Sequence, residues 1–262
     1  MGEAAIRYEA RDGVAHLVLD QPAKLNALTY EMWAALPQLV ARAEADEAVR
    51  LLAVSGAGER AFSAGADISQ FGEMRSGSGT VDAYEAAVWA GAAALEKAAK
   101  PTVALIRGIC FGGGFALAMS CDLRLGAEGA RFRVPAARLG LGYAHAGIAT
   151  LVRRLGPGVT GDIMLSARIV EAAEALRLGI VNALWGEPAF AAEAEAYLAR
   201  IAGNAPLTLR AVKRALVELG RPEAERDVAS VEALIAACHA SADYAEGQAA
   251  FREKREPVFR GV

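Results

Sequence analysis

Hydrophobic and polar positions change period several times along the chain, and each change marks an element. Ile6–Glu9 and Ala15–Leu19 alternate as half-buried strands do, and Arg11-Asp12-Gly13 between them reads as the turn of a β-hairpin. Thr29 followed by Met32, Leu36, Leu39 and Val40 has the spacing of an amphipathic helix, with Thr29 as N-cap and an end near Glu47. Leu51–Ser55 is a short apolar run, the pattern of a buried strand. Val81–Ala99 is alanine-rich and helical, and Pro101 marks the entry to a β-branched strand, Thr102–Ile106. Asp122–Ala127 and Ala130–Arg133 predict further strands, Pro135–Arg138 a short turn, and Ile148–Leu155 and Val159–Ser166 helices. Ala172–Leu178 reads as a helix closing on glycine, with Gly179-Ile180-Val181-Asn182 as a strand after it. From Ala189 the chain is nearly all helix, over 189–202, 206–219, 223–241 and 244–255, with breaks at Pro206 and Pro222. Repeated βα units followed by a helical tail predict a stacked α/β core with a C-terminal helical region. No internal repeat and no interdomain linker interrupts it.

Chemistry concentrates where strands give way to glycine. After Thr102–Ile106 come Gly112, Gly113 and Gly114, then a small-residue helix ending near Cys121. A strand, glycines and a helix start bring bare backbone N–H groups to a place where partial positive charge gathers. A helix packed tightly on a sheet would use the same glycines. A second such place is Phe62–Phe71, FSAGADISQF, where small residues and Gly65 keep the backbone open and a helix is expected near Asp67. Residues 72–80, GEMRSGSGT, have the composition of a mobile or substrate-facing loop. Gly56–Ala61 fits the dinucleotide pattern GxGxxA, but that fingerprint needs a helix to open at once, and more small residues and another glycine follow instead. Two separate glycine loops of bare backbone are what a site for an oxyanion uses.

Composition narrows the classes. The chain has 262 residues, 54% hydrophobic, with net charge −3, which gives no support for nucleic-acid binding. Its longest apolar run, between Arg107 and Asp122, is shorter than the roughly 20 residues of a membrane span. The N-terminus is charged and lacks the apolar stretch of a secretory signal. Cys110, Cys121 and Cys238 lack metal spacing and read as small hydrophobes in a reducing, cytoplasmic compartment. His16, His145 and His239 are far apart, which argues against zinc.

Five stretches carry a family resemblance. Pro22-Ala23-Lys24-Leu25-Asn26-Ala27-Leu28, then Phe62–Ile68, then Gly108–Gly114, then Cys121-Asp122-Leu123-Arg124, and finally Glu246–Arg255 resemble, in order and across essentially the whole chain, the enoyl-CoA hydratase/isomerase (crotonase) superfamily. The resemblance implies a ClpP/crotonase-like spiral of ββα units binding an acyl-CoA thioester, with no cofactor beyond the CoA moiety. It also implies a core over residues 1–200, a C-terminal helical trimerisation region over 201–262 of the same domain, and a homotrimer or dimer of trimers. By position, the N–H groups of Ala66 and Gly113 would form the oxyanion hole. Lys24, Ala64, Ala66, Asp67 and Ile68 would lie along CoA, and Phe251 and Lys254 would reach it, conceivably from a neighbouring subunit.

The sequence also departs from that pattern. Hydratases similar to it carry two catalytic glutamates, and the matching positions here are Ala116 and Ala136. Alanine neither activates water nor moves a proton. Enolate stabilisation needs only the two N–H groups, each worth about 3–4 kcal/mol when well aimed. Leu139–Tyr143 and the tail from Asp243 to Phe259 are similar to the methylmalonyl-CoA decarboxylase branch, in which Tyr143 would match an active-site tyrosine; Ala66 and Ala116 depart from that branch. His145 titrates in a useful range wherever it faces a pocket. Glu73, Asp67 and Arg138 are weaker candidates, Asp67 also serving as a helix cap. Three readings stand at this point: an enolate-stabilising acyl-CoA enzyme, a malonyl-type decarboxylase using Tyr143, and a catalytically silent acyl-CoA-binding protein.

Overall fold

The structure, a computed structural model, describes residues 5–67 and 78–262. Strands β1 (Ala5–Arg11) and β2 (Val14–Asp20) form the expected hairpin, in register from Ala5 opposite Asp20 to Arg11 opposite Val14. Helix α1 (Tyr30–Ala45) starts where Thr29 Oγ1 accepts the Met32 N–H at 3.2 Å. Three ββα turns follow. They are β3 (Leu51–Gly56), β4 (Ala61–Ser63) and α2 (Ser78–Lys97); β5 (Thr102–Ile106), β6 (Ile109–Phe111) and α3 (Gly113–Ser120); and β7 (Leu123–Ala127), β8 (Arg131–Arg133) and α4 (His145–Ser166). After these come β9 (Val170–Glu171), α5 (Ala172–Arg177), β10 (Ala183–Trp185), α6 (Glu187–Ala202), α7 (Pro206–Leu219), α8 (Val228–His239) and α9 (Ala242–Glu253).

Each turn of the spiral gives one strand to each of two sheets. The larger has the order β1-β2-β3-β5-β7-β10 and the smaller β4-β6-β8-β9. From β2 across to β10 every pairing is parallel, as crossover helices require. The apolar run of β3 divides between two faces. Leu52 and Val54 join the main core with Leu17, Trp33, Phe62 and Phe115, while Leu51 and Ala53 pack with Phe190 and Leu198 of α6. Gly56 leads into β4 and no helix opens there, so the dinucleotide pattern has no structural counterpart.

The structure corrects several boundaries. β6 and β9 are three and two residues long, too short for alternation to reveal. The strand expected at Gly179–Asn182 lies at Ala183–Trp185 instead: Ile180 and Val181 are buried as loop, and Asn182 brackets the strand's entry, its N–H donating to Arg124 O and its Oδ1 accepting from Arg124 N. The two helices expected over 148–166 are borne out: the backbone of Gly156 (φ 75°, ψ 164°), ahead of Pro157, is not helical and divides α4 in two. The helix expected over 223–241 opens as a separate turn at Glu223–Glu225, and α8 begins only after Asp227 caps it.

The C-terminal helices are fastened to the core by a buried ion pair. Lys213 of α7, 4% exposed, meets Asp122 at 2.8 Å and donates to the carbonyls of Leu95 and Lys100. Asp122 in turn accepts from Thr102 N and Oγ1 at the start of β5. Two residues on, Arg124 donates to Ile180 O at 2.6 Å and Cys121 O at 3.0 Å, and burial lowers its pKa to about 10. The Cys-Asp-Leu-Arg stretch is therefore structural.

Candidate active site

The first loop places its neighbour. Asn26, buried at φ 54°, accepts from Gln21 N and donates through Nδ2 to Ala57 O at 3.0 Å and Ala61 O at 2.8 Å, which pins residues 22–28 to the corner between β3 and β4. Leu28 then pairs with Ala66 in a parallel bridge. Its two hydrogen bonds, Leu28 N to Gly65 O (2.7 Å) and Asp67 N to Leu28 O (2.9 Å), use the residues on either side of Ala66. The Ala66 N–H is left pointing the other way, toward the second glycine loop.

That loop comes close because it lacks side chains. Gly65 (φ 105°) and Gly112 (φ 48°, ψ −116°) hold conformations that disfavour any residue with a Cβ. A Cβ placed on Gly113 would stand 3.4 Å from Ala66 N and 3.5 Å from Trp33 Cζ2. Gly113 is the first residue of α3, so its N–H is one of the helix's unsatisfied donors and carries the positive end of the dipole. Among the described residues neither N–H has a protein acceptor. Two free donors face one small space, the arrangement that holds a developing oxyanion.

The space opens into a cavity of about 280 Å³. Ala64, Ala66, Gly113, Ala116, Ala136 and Tyr143 all border it. Along α2 the border is the stripe Tyr84, Glu85, Val88, Trp89, Ala92, Ala93 and Glu96, which repeats every helical turn. Sequence reading missed this stripe, because an alanine-rich helix does not announce which face is turned inward. Trp33 closes one side. Its Nε1 is buried without a partner, an arrangement that costs about 1–3 kcal/mol.

The other expected residues divide. Lys24 Nζ lies 2.8 Å from the buried Asp67 carboxylate, so the two form a pair beside the Ala66 loop. Ile68 and Glu73 lie outside the described residues, as do 72–77 of the expected loop and the helix Asp67 was expected to cap; residues 78–80 open α2. Tyr143 is half-buried against the core, and burial pushes its phenol up to about 12, so it stays protonated at neutral pH. His145 is exposed at the start of α4 and does not border the cavity, and Arg138 is exposed as well. Phe251 (86% exposed) and Lys254 (φ 55°) lie at the end of α9, and the single chain does not bring them to the cavity. Phe251 borders a separate groove of about 700 Å³ between α7, α8 and α9. That groove is the larger, yet its lining is mostly apolar and the free backbone donors are at the smaller one.

Comparison with known proteins bears on the family and the fold. The enoyl-CoA hydratase/isomerase family profile matches residues 9–262. The chain belongs to this family. It is 33% identical over 262 residues to carnitinyl-CoA dehydratase of Proteus mirabilis, covering 98% of each chain. To crotonyl-CoA hydratase of Syntrophomonas wolfei it is 30% identical over 259 residues, covering 97% of each. Among solved structures, an enoyl-CoA hydratase/carnithine racemase from Magnetospirillum magneticum matches with a TM-score of 0.92 at 33% identity, covering 100% of this chain and 97% of that one. A family protein from Hyphomonas neptunium matches at 0.91 and 36%, with 97% of each covered. The fold is thus the crotonase fold. No group of histidine, cysteine and acidic residues suited to a metal occurs among the described residues, and no helix among them is long and apolar enough to cross a membrane.

Proposed function

We propose that the chain is an acyl-CoA-processing enzyme that stabilises a thioester enolate between the N–H groups of Ala66 and Gly113. The observation that carries the reading is that these two donors face one space and are used by no described protein acceptor. Lys24 and the Ala64–Asp67 loop lie along the CoA moiety, which is the one cofactor-like group the reaction needs. Phe251 and Lys254 contribute from a neighbouring subunit of a homotrimer or dimer of trimers, assembled through the helical region of residues 201–262.

Both alanines that stand in place of the hydratase glutamates border the cavity, so methyl groups line the space where two carboxylates would be. Proton transfer then falls to Glu85, a solvent-exposed carboxylate at the cavity border with no ion pair to a described residue; Glu96 is held by Arg153. Loss of the Cα proton to Glu85 leaves its electron pair on the thioester oxygen, where the two N–H groups hold it. Classical hydration is not expected to be efficient. A decarboxylase reading draws support from Tyr143, a protonated phenol at the cavity wall able to orient a carboxylate or return a proton.

Mass spectrometry of the purified protein with crotonyl-CoA, methylmalonyl-CoA and larger analogues separates these readings. Conversion of any acyl-CoA supports the enzyme, with loss of CO2 favouring the Tyr143 route. Tight CoA-thioester binding with no turnover across the panel overturns it in favour of a silent binding protein.

A further inference from the structure

The cavity ends in a charged stop. Helix α3 runs from Gly113 at the backbone donors to Ser120, about 10 Å deeper at 1.5 Å per residue. Met119, Ser120, Thr150 and Leu151 border that deep end, and so does Glu96, at the far end of the α2 stripe from Glu85. Glu96 Oε1 accepts from Arg153 Nη2 at 2.5 Å, and the same nitrogen donates to Thr150 Oγ1 at 2.9 Å. The side chains of Glu96 and Arg153 are 26% and 40% exposed; Glu96 borders the cavity, and Arg153, outside its lining, holds Glu96 in place. The pair joins α2 to α4 at the end of the α2 stripe away from Glu85.

We propose that the Glu96–Arg153 pair is the stop that sets acyl-chain length. A short acyl chain held at Ala66 and Gly113 ends above the pair and meets alanine, methionine and leucine. A longer one has to part it. A half-exposed ion pair is little trouble to separate by itself. Driving hydrocarbon between the two charges is the larger penalty, because each loses its partner and its water together. The pair therefore discriminates by desolvation more than by bulk. This inference rests on the acyl-CoA reading above and adds the class of substrate: thioesters of short acyl groups.

The test is calorimetric binding of butyryl-, octanoyl- and dodecanoyl-CoA to the full chain and to Glu96→Ala, Arg153→Ala, the double variant and Glu96→Gln. The intact protein is expected to bind butyryl-CoA more tightly than dodecanoyl-CoA. Either alanine variant raises the dodecanoyl-to-butyryl affinity ratio roughly tenfold, and the double variant does no more than a single one, since the pair acts as a unit. Glu96→Gln, which keeps the reach and a hydrogen bond to Arg153, retains most of the discrimination. An unchanged ratio in both alanine variants overturns the stop, as does an intact protein that accepts dodecanoyl-CoA as readily as butyryl-CoA. Failure of the intact protein to bind any of the three defeats the acyl-CoA reading and the stop with it. Tight binding without length dependence defeats the stop alone.

Discussion

At the scale of single residues, the site is made of what is missing. Gly113 has no side chain, and the space where one would stand is the space in front of Ala66 N. Gly113→Ala is therefore expected to fold, since its Cβ would meet only ordinary contacts at 3.4–3.7 Å, and to lose about 10²–10³ in kcat. Steady-state kinetics on whichever acyl-CoA the enzyme turns over checks it; an active Gly113→Ala would place the oxyanion elsewhere. Glu85→Gln should slow proton transfer by about 10²–10⁴. Parallel measurements on Glu96→Gln separate proton transfer from general damage to the α2 wall. The glycine loops were legible in the sequence because chemistry there depends on residue type. Glu85, Glu96 and Trp33 were not: their role depends on which way a helix is turned, and Glu96 meets a partner 57 positions away.

Tyr143 links residue and pH. Burial raises its folded-state pKa from the ordinary tyrosine value of about 10 to about 12. A group whose pKa is raised on folding contributes stability that is fully present below the unfolded value and is lost as pH climbs through the folded one. Between pH 10 and about 12 the unfolded chain loses a proton that the native protein still holds. Tyr143 should thus steepen alkaline destabilisation by up to about 2–3 kcal/mol across that window. Urea titrations from pH 8 to 11.5 should show Tyr143→Phe with a shallower decline than the parent; equal slopes would mean the phenol is solvated.

At the scale of elements, periodicity predicted what is long and missed what is short. The hairpin, α1 and β5 follow the expected patterns closely, because seven alternating residues, a cap such as Thr29, or an apolar run opened by Pro101 leaves a readable signature. β6 is a strand because β4 and β8 pair with it on either side, and β9 because it closes the edge at β8, which no local pattern encodes. The break at Gly156 also belongs here: the two expected helices are kept apart by a residue at φ 75° with Pro157 behind it, a signal written in residue type. The joint between α7 and the sheet is the element-scale device with the sharpest consequence. Lys213→Met takes the nearer cation from a part-buried Asp122, which keeps Arg154 at 3.9 Å and its Thr102 hydrogen bonds, and should cost about 1–3 kcal/mol in chemical denaturation. Loss below 1 kcal/mol would mean that water replaces the ammonium.

At the scale of the whole molecule, the spiral brings two loops together that are nearly 50 residues apart in the chain. Each turn adds one strand to each sheet, so the ends of β4 and β6 become neighbours and their following loops face one another. The family assignment accounts for the repetition of this plan. The C-terminal helices leave Phe251 and Tyr244 exposed around an apolar groove. If those helices form the contact between subunits, Phe251→Asp should shift the sedimentation coefficient toward the monomer and weaken CoA binding at the same time. A monomeric parent would remove the neighbouring-subunit role of Lys254.

The central claim is that Ala66 and Gly113 hold an enolate. Its most direct test is exchange of the α-protons of butyryl-CoA for deuterium in D2O, followed by NMR, because exchange needs an enolate and no later step. The protein should catalyse exchange, Gly113→Ala should abolish it while CoA still binds, and Glu85→Gln should slow it. Absence of exchange in the intact protein with butyryl-CoA bound, or full exchange in Gly113→Ala, would contradict the account.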